Sequence, residues 1–118
     1  MCSTRRAAIV GRLETDTAAT VFAELGNRTR LGILRLLIKA GHDGLPIGDI
    51  QARLDIPAST LAFHLRGLVG AGLVNQEKQG RMVLCRPRLD RINDAISFLK
   101  EECCLGIRKP APRRRNAA

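Results

Sequence analysis

Two runs of helical apolar spacing, separated by only three residues, constrain this chain more than any other feature. In residues 47–54, Ile47, Ile50 and Leu54 share one side of a helix. In residues 58–70, Leu61, Leu65 and Leu68 recur at i, i+4 and i+7. Asp55-Ile56-Pro57 is all that joins them. Proline suits the entry of the second run, because the donor it lacks is not needed there. Three leucines turn the second helix inward. Ser59, Thr60, Phe63, His64 and Arg66 are left for its other faces. Hydroxyl, imidazole and guanidinium groups bond base edges and phosphates.

The flanking segments extend the pattern. Leu13, Val21, Phe22 and Leu25 mark a helix over 13–25, broken by Gly26, and Asn27 is positioned to cap its successor. Over 29–40, Leu31, Leu34, Leu37 and Ile38 read as the inward face. The run Gly41-His42-Asp43-Gly44 ends that helix. Short apolar strands at Leu73–Glu77 and Met82–Arg86 flank a polar connection containing Gly80, a hairpin signal. Its tip carries Gln79 and Arg81. Over 89–103, Leu89, Ile92, Ile96, Leu99 and Cys103 form a narrow seam suited to a helix-to-helix contact, read as a homodimer surface. The expected fold is mainly α with a small β-hairpin wing, in the order α-α-α-α-β-β-α. That is a winged helix-turn-helix.

With 118 residues there is room for one core. Residues 13–105 read as the domain, 1–12 as a flexible basic lead-in and 106–118 as a disordered basic tail. Without Trp or Tyr the core is aliphatic, which argues against single strands held by base stacking. The net charge is +9. Five of those charges, Arg108, Lys109, Arg113, Arg114 and Arg115, sit in the tail, leaving about +4 on the body. A polyanionic partner fits both parts. No apolar run spans a membrane and no secretory leader is visible. Cys2, Cys85, Cys103 and Cys104 lack the spacing of a disulfide framework. Reduced thiols in the cytoplasm are expected.

Three segments carry a family resemblance. Leu25-Gly26-Asn27-Arg28-Thr29-Arg30-Leu31 resembles the opening of the arsenic-repressor (ArsR/SmtB) family. Ser59 through Leu68, followed by Ala71-Gly72-Leu73-Val74, is similar to its recognition helix and exit. Gln79-Gly80-Arg81 resembles its wing. The resemblance implies a repressor that binds a palindromic double-stranded DNA operator as a dimer and releases it on binding an inducer. It implies DNA contacts from Ser59, Thr60, Phe63, His64, Arg66, Gln79 and Arg81. Ala62 stands where many members carry Ser, so a hydroxyl contact is missing there.

The inducer sites common in that family are absent. Leu45-Pro46-Ile47-Gly48-Asp49 holds no Cys-x-Cys, and no His follows His64 to join Asp90 and Asp94 in a zinc site. Cys103-Cys104 remains, and is similar to adjacent cysteines in arsenical-responsive members. Trivalent arsenic is thiophilic and makes up to three bonds. Two cysteines supply two, and a methyl or phenyl group completes an organoarsenical. Inorganic arsenite needs a third thiol, from Cys85 or Cys2. Within an apolar strand, Cys85 reads more as core than as ligand. No resident cofactor is required. Other readings are a thiol-redox switch, a structural zinc shared by two subunits through four thiolates, and an RNA-binding or structural module. No phosphate loop, Cys-x-x-Cys pair or nucleophile-base constellation supports an enzyme.

Overall fold

The computed structural model describes residues 13–110. The expected lead-in, most of the tail and Cys2 lie outside those residues. Helices α1 (Thr15–Leu25) and α2 (Arg28–Ala40) are followed by a 3₁₀ turn (Gly41–Asp43) and a two-residue strand β1 (Leu45–Pro46). Then come α3 (Ile47–Leu54), α4 (Ala58–Gly70), strands β2 (Val74–Gln79) and β3 (Met82–Pro87), and α5 (Leu89–Lys100). This is the winged helix-turn-helix expected, with α3 and α4 at the predicted bounds.

Local chemistry accounts for the breaks. The Asn27 side chain accepts the Arg30 backbone N–H at 3.0 Å, capping α2 as anticipated. Asp55 ends α3 in the left-handed region (φ 52°), a conformation that Asp tolerates better than most residues. Pro57 then sets the N-cap of α4 with φ −62°.

The core is aliphatic. Val21, Ile33, Leu34, Leu37, Ile50, Leu61, Leu65, Leu68 and Leu73 meet in one cluster, joined by Val74, Cys85 and Ala95. On α2 the inward face is Ile33, Leu34 and Leu37, whereas Leu31 and Ile38 stand outside. The apolar arc of that helix is wider than its buried face, with Arg28, Gly32, Arg35 and Lys39 opposite, so periodicity alone does not fix which part of the arc turns inward.

The sheet has three strands, ordered β1-β3-β2, all antiparallel. β1 pairs Leu45 with Cys85 and Pro46 with Leu84, a strand too short to show any alternation. The hairpin is longer than expected, pairing Gln79 with Met82, so Gly80 and Arg81 alone form its turn. Gly80 has φ +64° and Arg81 does not share the positive φ, the pattern of a type II′ turn with glycine in the first central place.

α5 stops at Lys100, three residues short of the helix expected to 103. Residues 101–104 form turns, in which the Cys103 N–H donates to the Lys100 carbonyl at 2.9 Å. Glu101 and Glu102 put negative charge where a helix dipole disfavours it. Cys104 adopts φ +65°. The seam therefore ends at Leu99 and does not include Cys103.

Candidate nucleic-acid interface

Helix α4 buries Leu61, Leu65 and Leu68 and turns the stripe Ser59, Ala62, Phe63, Arg66 to solvent. Those positions are i, i+3, i+4 and i+7, one face of a helix. Thr60 lies beside the stripe, half-buried. No acidic residue and no side-chain cap occupy its first turn. On the hairpin, Gln79 and Arg81 are both exposed.

His64 is a correction. Expected on an outward face, it is only 8% exposed. Its Nδ1 lies 3.2 Å from Arg30 Nη1. Arginine can only donate, so Nδ1 is the acceptor in this contact. His64 sits three residues after Leu61 and four before Leu68, so the period already assigned it to the inward face. Its polarity pointed the other way. Its ring lies on the inner side of α4, against Arg30.

Arg30 is the residue that sequence reasoning missed. Its Nε donates to the Glu24 carbonyl at 2.8 Å, and the Glu24 carboxylate Oε1 lies 3.2 Å from that nitrogen. Among the described residues Oε1 is buried with no hydrogen bond of its own. One guanidinium thus ties the end of α1 to α2 and to the underside of α4. Arg30 lies in the segment Leu25–Leu31 that carries the family resemblance, the one signal that could have found it.

The hairpin is anchored by Arg86. Its Nε donates to the His42 carbonyl at 2.9 Å, and its guanidinium pairs with Glu77 across the strands. That pairing holds the Glu77 carboxyl below the usual range. At the start of α5, Arg88 likewise lowers Asp90, at 3.0 Å.

Cys103 is half-buried and Cys104 exposed, with their Sγ atoms 3.2 Å apart. Cys85 is fully buried in β3, and burial pushes its thiol up while the Gln76 amide opposes this weakly at 3.8 Å. Among the described residues no group of three His, Cys, Asp or Glu side chains could hold a metal ion. Cys85 packs in the core and forms no such group with Cys103 and Cys104. No helix among the described residues is long and apolar enough to cross a membrane.

The helix-turn-helix domain family matches residues 25–77, which span the end of α1 through most of β2. A putative arsenical resistance operon repressor, ArsR2, of Halobacterium salinarum is 34% identical over 73 residues, covering 59% of this chain. This chain spans 60% of that relative's length. An ArsR-like transcriptional regulator from Rhodococcus sp. RHA1 has a similar structure, with TM-score 0.65 and 30% identity over 73% of this chain and 78% of that one. Reduced HlyU from Vibrio cholerae N16961 is similar at TM-score 0.60 and 28% identity, over 76% and 92% of the two chains. The homologues are transcriptional regulators and not enzymes. The chain belongs to the ArsR family of DNA-binding winged helix-turn-helix transcriptional regulators.

Proposed function

We propose that this protein is a cytoplasmic repressor that binds a palindromic operator as a homodimer and releases it when a trivalent arsenical bonds Cys103 and Cys104. For DNA binding, the supporting observation is the outward stripe of α4, held by three buried leucines. Ser59, Thr60, Phe63 and Arg66 enter the major groove, and Gln79 and Arg81 on the wing reach the adjacent backbone or minor groove. Two such heads read sites about 34 Å apart, one turn of duplex.

For sensing, the supporting observation is the contact of the two sulfurs just beyond α5. An organoarsenous acid exchanges its two hydroxyls for the two thiols, forming two arsenic–sulfur bonds and releasing two waters. A pair without a third thiol suits a methyl- or phenylarsenical better than arsenite. The exchange tightens the Lys100–Cys104 turn at the foot of α5, whose outer face is the proposed dimer seam. To release DNA, the arsenical must bind the DNA-free form better, by about 1–3 kcal/mol for ordinary coupling.

Gel shifts with a duplex selected from a randomised pool test both parts. Phenylarsenite should release the DNA from reduced protein, and Cys103→Ser or Cys104→Ser should abolish release while leaving binding intact. Undiminished release in those variants refutes the sensor. The sulfur contact and the similarity to reduced HlyU favour one second reading, a thiol-redox switch. Peroxide then takes both thiol hydrogens as water and joins the sulfurs. Release by peroxide, with none by phenylarsenite, selects that reading.

A further inference from the structure

The stripe that α4 presents is polar at its ends and apolar in the middle. Ser59 and Arg66 bracket Ala62 and Phe63. Phe63 is 58% exposed. Its ring meets His64 edge-on, with centroids 5.3 Å apart and planes at 68°. His64 is in turn held by Arg30. The ring is therefore braced from beneath while most of it stays in water.

An apolar ring in the middle of a reading helix restricts what it can face. Phe63 offers no hydrogen bond, so a guanine or adenine edge opposite it loses water from N7 and O6 or N6 without replacement. The major groove has one apolar feature, the C5-methyl group of thymine. Cytosine presents an N4 donor and no methyl there.

From this we infer that Phe63 is a specificity-determining residue. It selects thymine in each operator half-site by packing on the C5-methyl, between the hydrogen-bonding reach of Ser59 and Arg66. The inference rests on the proposed reading that α4 enters the major groove.

The test separates the two. Full-length reduced protein is used to select duplexes from a randomised pool. Each thymine of the selected half-site is then replaced by deoxyuridine, which removes the methyl and nothing else. One position per half-site should weaken binding about fourfold, the factor that burial of a single methyl carries, and about fifteenfold when both half-sites are changed. Phe63→Ala should bind thymine and deoxyuridine duplexes equally, with the steepness of its salt dependence retained because phosphate contacts persist. Phe63→Leu should keep part of the penalty. The ring is largely solvent-exposed, so both variants should melt like the parent.

Equal binding of thymine and deoxyuridine by the parent at every position overturns the inference. So does a deoxyuridine penalty that survives in Phe63→Ala, or a selected half-site without thymine. In each of these cases selection itself succeeds and the operator reading stands. Failure to enrich any duplex removes both.

Discussion

Gly67 carries no side chain for a reason that lies on another helix. A Cβ there would approach Glu24 Oε1 to 2.3 Å, and Arg30 Cδ lies 3.5 Å from the same point. The carboxylate of α1 thus occupies the space beside α4 and meets Arg30 there. Gly67→Ala should push Glu24 away and leave the guanidinium without its carboxylate. Alanine favours a helix interior by about 0.5–1 kcal/mol, and the displaced atom is the flexible end of a side chain, so the net change in urea melts should stay within about 1 kcal/mol. In a Glu24→Ala background the same substitution should stabilise by about 0.5–1 kcal/mol, because no carboxylate is displaced there. Equal effects in both backgrounds would refute that coupling. Cys85 illustrates the opposite case, a polar-looking candidate that packs as core. Its thiol pKa is raised by burial from the ordinary 9.0, so folding favours the protonated form. The stability it contributes is intact below pH 9.0 and is lost as pH climbs toward the folded value. Thermal melts should therefore fall less steeply above that pH in Cys85→Ala. At pH 8, in reduced protein, iodoacetamide should modify Cys103 and Cys104 well before Cys85, which should react only on unfolding. The sequence misled at His64, and at Cys85 it leaned to core while keeping the ligand reading open. A residue type suggests chemistry, while its helical or strand phase decides whether solvent can reach it.

The hairpin depends on a close approach behind it. Gly44 has φ +71°, and a Cβ there would stand 2.5 Å from the Cys85 carbonyl oxygen. Gly44→Ala meets both a disfavoured backbone and another strand's main chain. The conformational strain alone is about 1–3 kcal/mol. Hydrogen exchange should show β3 amides opening sooner in that variant, with α2 amides protected up to global unfolding. Unchanged β3 protection would count against this. The elements that the sequence made legible were those with a clear period bounded by breakers, α3 and α4 above all. β1 was not legible, because two residues, one of them proline, carry no alternation. The end of α5 was misjudged because Cys103 continued an apolar spacing. Spacing says nothing about dipole charge or the left-handed turn at Cys104.

α5 leaves Ile96 at 48% and Leu99 at 67% exposure, although its Ala95 is buried. An apolar edge of that kind on an otherwise charged helix fits the proposed self-association. Leu99→Asp should convert a sedimenting dimer to monomer while hardly altering the monomer's own melting. If two heads are needed, operator affinity should fall by far more than non-specific affinity. A dimer that persists would place the interface elsewhere. DNA binding itself should weaken steeply with salt, in keeping with the basic body.

The two-residue strand β1 joins the base of the hairpin to the residue just before α3, and Arg86 fastens the same base to the His42 carbonyl. The base of the hairpin is thus stitched at two points to the segment that leads from α2 into α3. In the proposed complex, Phe63 and Arg81 behave as the fixed jaws of a caliper. A duplex of the wrong groove width has to deform to fit between them, so stiff base steps that the protein never touches would still be rejected.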